Sequence, residues 1–441
     1  MSFRQSHMRG NLTPHMDIPG DKSISHRALF LSALATGNTL IEGLNPGDDV
    51  SHTRMALEAF GVRIEDSDSK NVLVHGLGGD PLKQPKNPLY LGNSGSSARM
   101  LAGFMAPYPL TATFYGDASL SQRPMRRVTL PLLGLGATFE LNHDDLLPMT
   151  IHGTGTPNSL TYHMPIPSAQ IKTAIILAAM NTSGVTTIVE PMRTRDHTER
   201  LMSYLEIPIS IEVDAKDVQT LRIQGMHRYL SKPMSIPADP SSAVFFAVAA
   251  LITPHSQITM RDVNWNPYRN RVFKVLIEMG ANIKVSNLRT VCGEPLADIE
   301  VSSSSLNSIT LEANESAALI DEYPILAVAA AQARGVSVFK GLRELRYKES
   351  NRLEAIHRNM NICGIETQVD DDILVIQGNG GEPIFGGVTI NASRDHRIAM
   401  SSYVMGMVSR NPIIIQGADC IGSSFPNFLN VFNRLSFMNA A

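Results

Sequence analysis

Polar and apolar residues follow one pattern that recurs six times along the chain. Each copy has a polar helix start, a helix of small apolar residues, a short strand rich in β-branched residues and then a second helix. The six helix starts lie at Asp21, Ser94, Ser168, Asp239, Asp321 and Asp395. Alternating strands and helices predict an α/β fold. The period of about 70 to 80 residues is longer than that of common solenoid repeats, so each copy is predicted to be a small βαβ-containing unit.

The six copies divide naturally into two groups of three. A chain of 441 residues exceeds the size at which one hydrophobic core usually keeps growing, so more than one domain is expected. Two similar segments, IPGD at 18–21 and IPAD at 236–239, each contain a proline that favours extended backbone. We therefore predict one domain over residues 20–236 and a second that combines residues 1–19 with residues 237–441.

Composition limits the choice of partners. The 38 Lys and Arg residues nearly balance 41 Asp and Glu residues, so bulk charge gives no indication of nucleic-acid binding. Cys292, Cys363 and Cys420 are odd in number and widely spaced, which argues against a disulfide framework and a zinc site and fits a reducing cytoplasm. The N-terminal segment lacks the apolar run of a signal peptide, and the apolar stretch 243–252 is too short to span a bilayer. No metal and no membrane association are expected.

The helix starts carry the candidate chemistry, because the first turn of a helix presents unpaired N–H groups and the positive end of the helix dipole. Lys22 and Arg27 stand at the first start, where cations are unfavourable unless an anion binds; a solvated cluster is the alternative. A Walker A phosphate loop is excluded, because Met16 and Asp21 occupy the positions of its two glycines.

The next segments repeat this character in the predicted 20–236 domain. Asn93 can cap the second start and Gly95 allows close approach of a ligand to the backbone. Arg123, Arg126 and Arg127 follow, with an exposed basic loop as the alternative.

The third start supplies uncharged donors, Ser168 and Gln170, before the basic segment that contains Arg195. His197 lies in that segment with neither metal-ligand spacing nor a nucleophile nearby, so a structural hydrogen bond is predicted for it.

The helix starts of the second domain contain more acidic residues. Asp321 and Glu322 precede an apolar helix, and both could simply satisfy its N-terminus. Lys348, Glu349 and Arg352 are spaced to share one helix flank, for which a solvated charged helix is the usual interpretation. The last start repeats the cation-rich pattern with Arg394, Asp395, His396 and Arg397. Together, cations from both halves would suit a ligand set with several negative charges, and Asp321 and Glu349 would be the acid–base groups.

The helix-start segments together resemble a known family. GDKSISHRAL, LGNSGSSARM, PSAQIKTA, TRDHTE, DEYPIL, YKESNRL and RDHRIAM are similar to the signature segments of the 5-enolpyruvylshikimate-3-phosphate (EPSP) synthase family, in the family's order over nearly the whole chain. The resemblance implies an α/β enolpyruvyl-transferase fold of two domains, each of three βαβαββ units, with the active site in the interdomain cleft. It also implies transfer of the enolpyruvyl group of phosphoenolpyruvate to the 5-hydroxyl of shikimate 3-phosphate, on the pathway to chorismate and the aromatic amino acids, by a cytoplasmic monomer without a cofactor.

The same resemblance assigns roles to individual residues. Those implied to bind shikimate 3-phosphate are Lys22, Ser23, Arg27, Ser168, Ala169, Gln170, Arg195, Asp321 and Lys348. Those implied to bind phosphoenolpyruvate are Lys22, Gly95, Arg123, Gln170, Arg352 and Arg397. As catalytic groups, Asp321 would take the proton of the 5-hydroxyl, and Glu349 or Lys22 would protonate the methylene carbon of phosphoenolpyruvate.

One segment departs from the common family pattern. Many members have Lys-Thr-Phe-Pro near the C-terminus, whereas SSFPNF here places Ser423 at the lysine position. Together with TRDHTE, this resembles the second sequence class of the family and puts one phosphoenolpyruvate contact in doubt. Gly95 resembles the form that is sensitive to glyphosate, which occupies the phosphoenolpyruvate site in the family.

Two other functions fit part of this pattern. The sister enolpyruvyl transferase that acts on UDP-N-acetylglucosamine typically uses a loop cysteine in the first three-repeat domain, whereas the first cysteine here is Cys292. A non-catalytic repeat scaffold would explain six copies, but not why cations, Asp321 and Glu349 recur at helix starts.

Overall fold

The chain forms two compact units. The computed structural model describes residues 2–4, 15–68 and 70–437. The central unit comprises Gly20–Ile236 and Val291–Glu294, and the terminal unit comprises the described residues up to Pro19, Pro237–Thr290 and the described residues from Pro295 onward. Residues 1, 5–14 and 438–441, which the sequence assigns to the second domain, lie outside the described residues.

The secondary structure alternates throughout the described residues. The helices there are α1 (Lys22–Leu34), α2 (Asp48–Ala59), α3 (Gly95–Met105), α4 (Arg126–Gly134), α5 (Ala169–Met180), α6 (His197–Tyr204), α7 (Pro240–Ile252), α8 (Arg271–Glu278), α9 (Ser316–Leu319), α10 (Tyr323–Gln332), α11 (Arg352–Ile362), α12 (His396–Gly406) and α13 (Phe428–Phe437). None of these helices is long and apolar enough to cross a membrane.

The strands are short and fall between the helices. In the described part of the chain they are β1 (Ser2–Arg4), β2 (His15–Met16), β3 (Thr36–Glu42), β4 (Arg63–Asp66), β5 (Val72–Leu77), β6 (Leu89–Tyr90), β7 (Thr111–Tyr115), β8 (Thr138–Asn142), β9 (Leu146–His152), β10 (Thr161–His163), β11 (Val185–Glu190), β12 (Ile209–Val213), β13 (Gln219–Gln224), β14 (Met234–Ser235), β15 (Gln257–Asn264), β16 (Asn282–Val291), β17 (Glu294–Ser302), β18 (Thr310–Leu311), β19 (Val336–Phe339), β20 (Thr367–Asp370), β21 (Ile373–Gln377), β22 (Ile384–Gly386), β23 (Thr389–Asn391), β24 (Ser409–Asn411) and β25 (Ile414–Gln416).

The central unit contains three copies of one four-stranded sheet. The strand orders are β14-β3-β5-β4, β6-β7-β9-β8 and β10-β11-β13-β12. In each sheet the first pair is parallel and the other two pairs are antiparallel. A parallel pair needs a crossover helix, which α3 and α5 supply in the second and third copies, so these two have the arrangement βαβαββ. In the first copy the outer strand, β14, comes from the end of the unit.

The terminal unit repeats this arrangement with one variation. Its first two sheets have the orders β16-β17-β15-β2 and β18-β19-β21-β20. In the sixth copy, β25 lies between β23, which is parallel to it, and β1, which is antiparallel, while β22 and β24 form a separate parallel pair. The predicted α/β fold with repeated units is confirmed, and the last copy differs in how its sheet is completed.

The crossover helices form the interior of each unit. In α5 every residue from Ile171 to Met180 is buried, and α7 and α10 are enclosed in the same way. Gly103 allows α3 to approach α5 closely, because a Cβ at that position would lie 2.1 Å from the carbonyl oxygen of Ala174. Gly103 thus brings α3 and α5 of the central unit together.

One predicted boundary is wrong in detail. Residues 291–294, which the sequence assigns to the second domain, belong to the central unit. They form the turn between β16 and β17, where Glu294 Oε1 lies 2.7 Å from His197 Nδ1 and the Gly293 carbonyl accepts a hydrogen bond from Arg200 at 3.2 Å. These contacts join residues almost a hundred positions apart, so hydrophobic patterning along the chain carries no signal for them.

Candidate active site

The start of α1 combines a helix cap with a paired lysine. Asp21 is fully buried, and its carboxylate accepts a hydrogen bond from the backbone N–H of Ile24 at 2.9 Å. Lys22 Nζ donates to Asp49 Oδ2 at 2.8 Å, and its side chain is 16% exposed. Asp21 and Asp49 therefore offset the unfavourable interaction of Lys22 with the helix dipole within the protein itself, a compensation that the sequence does not reveal.

Arg27 connects three segments of the central unit. Its Nη1 donates to the carbonyl of Ser23 at 2.7 Å, and Nε donates to Thr198 Oγ1 at 2.8 Å. Its Nη2 donates to Thr173 Oγ1 at 2.9 Å and to the carbonyl of Ala169 at 3.3 Å. The guanidinium is almost fully buried, so it holds the starts of α1, α5 and α6 in a fixed arrangement.

The start of α3 places two guanidinium groups beside a glycine. A Cβ on Gly95 would lie 2.9 Å from Arg99 Nη1 and 3.2 Å from Arg123 Nη1. Arg123 is buried and donates to Asn93 and, at 3.1 Å, to Ser119 Oγ. The absence of a side chain at Gly95 thus lets two cations lie close to the backbone at the start of α3.

Gln170 is fixed by the neighbouring helix. Its Oε1 accepts a hydrogen bond from Arg99 Nη1 at 2.8 Å, and its Nε2 donates to Ser96 Oγ at 2.9 Å. Ser168 caps α5, with its hydroxyl accepting from the N–H of Ile171 at 3.4 Å. The structure therefore brings the predicted residues of α3 and α5 together through Arg99, which sequence reasoning missed.

Other basic residues of the central unit lie in different surroundings. Arg126 is exposed and pairs with Asp145 at 3.3 Å, as expected for a basic loop. Arg195 is partly buried in the loop before α6. His197 is fully buried against Glu294, in agreement with the structural role predicted for it.

The terminal unit holds a second cluster, centred on Arg352 at the first position of α11. The Arg352 side chain is fully buried between three carboxylates. Its Nε is 2.8 Å from Asp395 Oδ2, Nη2 is 2.5 Å from Glu349 Oε2 and Nη1 is 3.2 Å from Asp321 Oδ1. Burial alone would lower the pKa of Arg352, but Asp395, Glu349 and Asp321 raise it above its ordinary value, so the charge is permanent.

Asp321 faces three cations of this cluster. Besides Arg352, its oxygens face Lys348 Nζ at 3.6 Å and Arg397 Nη2 at 3.9 Å, and Arg397 Nη1 also donates to its backbone carbonyl at 2.8 Å. The Asp321 and Glu349 side chains are 17% and 19% exposed, so both remain accessible to a small ligand. The structure thus brings together Asp321, Lys348, Glu349, Arg352 and Arg397.

Glu322 has a different role from its neighbour. Its Oε1 accepts a hydrogen bond from Ser241 Oγ at 2.5 Å and lies 3.6 Å from Arg397 Nη1, while its side chain makes no capping bond to α10. Glu322 therefore holds Arg397 in place, which disagrees with a simple helix-capping role.

Comparison with known proteins defines the family. The model of the EPSP synthase (3-phosphoshikimate 1-carboxyvinyltransferase) family matches residues 7–432. The chain belongs to the EPSP synthase family. Among curated relatives, a 3-phosphoshikimate 1-carboxyvinyltransferase of Rhodospirillum rubrum is 44% identical over 98% of this chain and 96% of its own length. One of the same name from Parvibaculum lavamentivorans is 43% identical over the same shares. The curated relatives are transferases, and this chain is an enzyme of that class.

Solved structures agree with this membership. An EPSP synthase from Acinetobacter baumannii has a TM-score of 0.85 and 36% identity and covers 98% of both chains. The enolpyruvyl transferase NikO from Streptomyces tendae has a TM-score of 0.74 over 98% of this chain and 97% of its own, and at 16% identity it supports the fold alone. The enolpyruvyl-transferase fold predicted from the sequence is confirmed.

Ser423, which departs from the common EPSP synthase pattern, forms a hydrogen bond with a neighbouring residue in the chain. Ser423 Oγ donates to the carbonyl of Cys420 at 2.8 Å within the same short helical turn. A serine is also much shorter than a lysine, so Ser423 does not replace the extended cation found in other members. Arg99 beside Gly95 is a cation of the central unit whose role the sequence did not indicate.

Proposed function

We propose that the chain transfers the enolpyruvyl group of phosphoenolpyruvate to the 5-hydroxyl of shikimate 3-phosphate and releases phosphate. The observation that carries this proposal is membership of the EPSP synthase family over almost the whole chain. The reaction belongs to the shikimate pathway, which leads to chorismate and the aromatic amino acids. We further propose that the enzyme acts as a cytoplasmic monomer.

The central unit is proposed to bind shikimate 3-phosphate. Its first helix turns supply N–H donors, and Lys22, Arg27 and Arg195 add the positive charge that a phosphate and a carboxylate need. The proposed ligands in this unit are Lys22, Ser23, Arg27, Ser168, Ala169, Gln170 and Arg195. Support comes from the buried guanidinium of Arg27, which donates hydrogen bonds to the backbone carbonyls of both Ser23 and Ala169.

Phosphoenolpyruvate is proposed to contact both clusters. Lys22, Gly95, Arg123 and Gln170 would bind it in the central unit, with Arg352 and Arg397 contributing from the terminal unit. Support comes from the two guanidinium groups, of Arg99 and Arg123, that lie close to Gly95. Arg352 is enclosed by carboxylates, so we propose that the anionic ligand displaces Glu349 from it, which also frees Glu349 for proton transfer.

The proposed chemistry is an addition followed by an elimination. Asp321, assisted by Lys348, takes the proton of the 5-hydroxyl as the hydroxyl oxygen of shikimate 3-phosphate bonds to C2 of phosphoenolpyruvate. Glu349 or Lys22 delivers a proton to the methylene carbon, which gives a tetrahedral intermediate. Loss of a proton from the new methyl group then forms the double bond again as the C2–O bond to phosphate breaks. The arginines stabilise the phosphate and carboxylate charges throughout.

The proposed acceptor is tested by phosphate release from phosphoenolpyruvate. Shikimate 3-phosphate and UDP-N-acetylglucosamine are offered separately to the purified chain. Turnover with shikimate 3-phosphate alone is expected. Turnover with the sugar nucleotide alone would refute the assignment.

A further inference from the structure

Lys172 is a fully buried lysine in α5 that the proposed chemistry does not use. Its Nζ lies 3.0 Å from Glu190 Oε2 and 2.7 Å from Glu199 Oε1, and none of the three side chains is more than 2% exposed. Burial alone would lower the pKa of Lys172, but Glu199 and Glu190 raise it above its ordinary value. A buried ion pair contributes little net stability, because desolvation offsets the attraction between the charges. The location of the Lys172 ion pair suggests a role other than stability.

Lys172 is linked through Glu190 to the loop that carries Arg195. Glu190 is the last residue of β11, and its second carboxylate oxygen, Oε1, accepts from the Thr194 backbone N–H at 3.0 Å and from Thr194 Oγ1 at 2.5 Å. Thr194 directly precedes Arg195. Lys172 itself lies near the start of α5, which Ser168 caps and which begins with Ala169 and Gln170. One buried carboxylate therefore joins two segments of the proposed shikimate 3-phosphate site.

Glu199 contacts the same ammonium from a different direction. It lies in α6 beside Thr198, which accepts a hydrogen bond from Arg27. Among the described residues, neither of its carboxylate oxygens accepts a hydrogen bond from the loop at 191–195. Glu190 and Glu199 thus share Lys172 as a partner, but Glu190 alone of the two also holds Thr194.

We propose that Lys172, acting through Glu190 and Thr194, is a positioning residue that sets the place of Arg195 for shikimate 3-phosphate. This inference rests on the proposed function. An arginine donates in a fixed fork, so its contribution to an anion depends on where the backbone places it. The ion pair would then serve substrate geometry, with Glu199 balancing the lysine from the opposite helix.

The two glutamates offer a matched test. E190Q and E199Q are isosteric, remove the same charge and leave Lys172 with one carboxylate. In E190Q the amide has one acceptor oxygen for both Lys172 and Thr194, so the loop loses its anchor. We expect KM for shikimate 3-phosphate to rise about tenfold in E190Q, with KM for phosphoenolpyruvate changing less than about twofold, because a misplaced charge-assisted hydrogen bond costs roughly this factor. E199Q is expected to leave both constants within about twofold of the wild-type values.

A second pair of variants removes the dependence on a buried charge. T194V loses the hydroxyl bond to Glu190 without changing the ion pairs, and T194S restores it. A rise in KM for shikimate 3-phosphate in T194V that T194S reverses supports the proposal, even where E190Q fails to fold. Equal effects of E190Q and E199Q, or wild-type KM values in T194V, would overturn it. Wild-type enzyme that does not turn over shikimate 3-phosphate would instead refute the proposed function, so the two failures are distinguishable.

Discussion

Replacing Gly95 with alanine probes the space beside the two guanidinium groups. The new Cβ would lie 2.9 Å from Arg99 Nη1 and 3.2 Å from Arg123 Nη1. Both atoms are the ends of flexible side chains, so they can move by a few tenths of an ångström, and the fold is expected to tolerate the change. The methyl group would press on both guanidinium groups and weaken the proposed contact of Arg123 with phosphoenolpyruvate, while a shift of this size leaves the 2.8 Å hydrogen bond from Arg99 to Gln170 in place.

The expected effect is confined to one substrate. Loss of one charge-assisted hydrogen bond to phosphoenolpyruvate costs about 1.5 to 3 kcal/mol, which corresponds to a rise of about ten- to a hundredfold in KM for this substrate. KM for shikimate 3-phosphate is expected to change less than about threefold, and the free energy of unfolding less than about 0.5 kcal/mol. Steady-state phosphate release with each substrate varied in turn, together with denaturant unfolding, measures all three quantities.

Gly103→Ala is the matched control. Its Cβ would meet the backbone of Ala174, with the carbonyl oxygen at 2.1 Å, so α3 and α5 must separate. Overpacking of this kind costs about 1 to 3 kcal/mol, and the better helix propensity of alanine recovers up to about 1 kcal/mol. The main effect expected of G103A is therefore a lower free energy of unfolding, with only small changes in KM for either substrate. A G95A enzyme with an unchanged KM for phosphoenolpyruvate would refute the assignment of this space.

Three further predictions concern charged residues. K22M is expected to lower turnover about 100-fold or more and, because it leaves Asp49 unpaired, to lower the free energy of unfolding by about 1 to 3 kcal/mol. Adding D49N should restore the stability but not the turnover. An active K22M enzyme would contradict the proposed role of Lys22 in catalysis. R352K offers three carboxylates one point charge in place of a planar fork, so the free energy of unfolding should fall by about 3 to 5 kcal/mol; an unchanged value would show that the cluster is not structural. Burial raises the pKa of Glu199 above its ordinary value and outweighs the opposing effect of Lys172, so the protonated side chain stabilises the fold in acid and this contribution is lost as pH rises. E199Q mimics the protonated side chain and should be more stable than wild type at neutral pH, with a difference that shrinks in acid; a difference that grows in acid would contradict this.

The two units use their helix starts in different ways. In the central unit the starts of α1, α3 and α5 are surrounded by Lys22, Arg123 and Arg99 and by hydroxyl groups. In the terminal unit Asp239 and Asp395 cap α7 and α12, and both also pair with arginines. Arg99 and Arg123 have amide and hydroxyl partners, which leaves positive charge for an external anion at the start of α3, whereas Lys22 and the arginines beside Asp239 and Asp395 are balanced by carboxylates.

Local signals in the sequence predict much of this arrangement. Asp21, Ser94, Ser168, Asp239 and Asp395 cap helices with their own side chains, as their positions before apolar runs indicate. Asp321 is the exception, because α10 begins two residues later and three cations of the terminal unit compete for the carboxylate. A cap depends on the next three residues, whereas an ion pair depends on the tertiary fold.

The contacts that the sequence does not predict are all long-range. Arg99 reaches Gln170 across 71 positions, and Arg352 reaches Asp395 across 43. The sequence favours a solvated helix flank for Arg352. Its burial follows instead from the packing of α11 against α12 and α10. Repeat periodicity identifies which segments are equivalent, but the particular pairs depend on how those segments pack.

The most direct test of the central claim is identification of the product by NMR after complete reaction of phosphoenolpyruvate with shikimate 3-phosphate. We predict an enol ether on the 5-oxygen of the acceptor, formed in equal amount to the phosphate released, with the 3-phosphate intact. Phosphate released without an enol ether, or an enolpyruvyl group on another oxygen, would contradict the account.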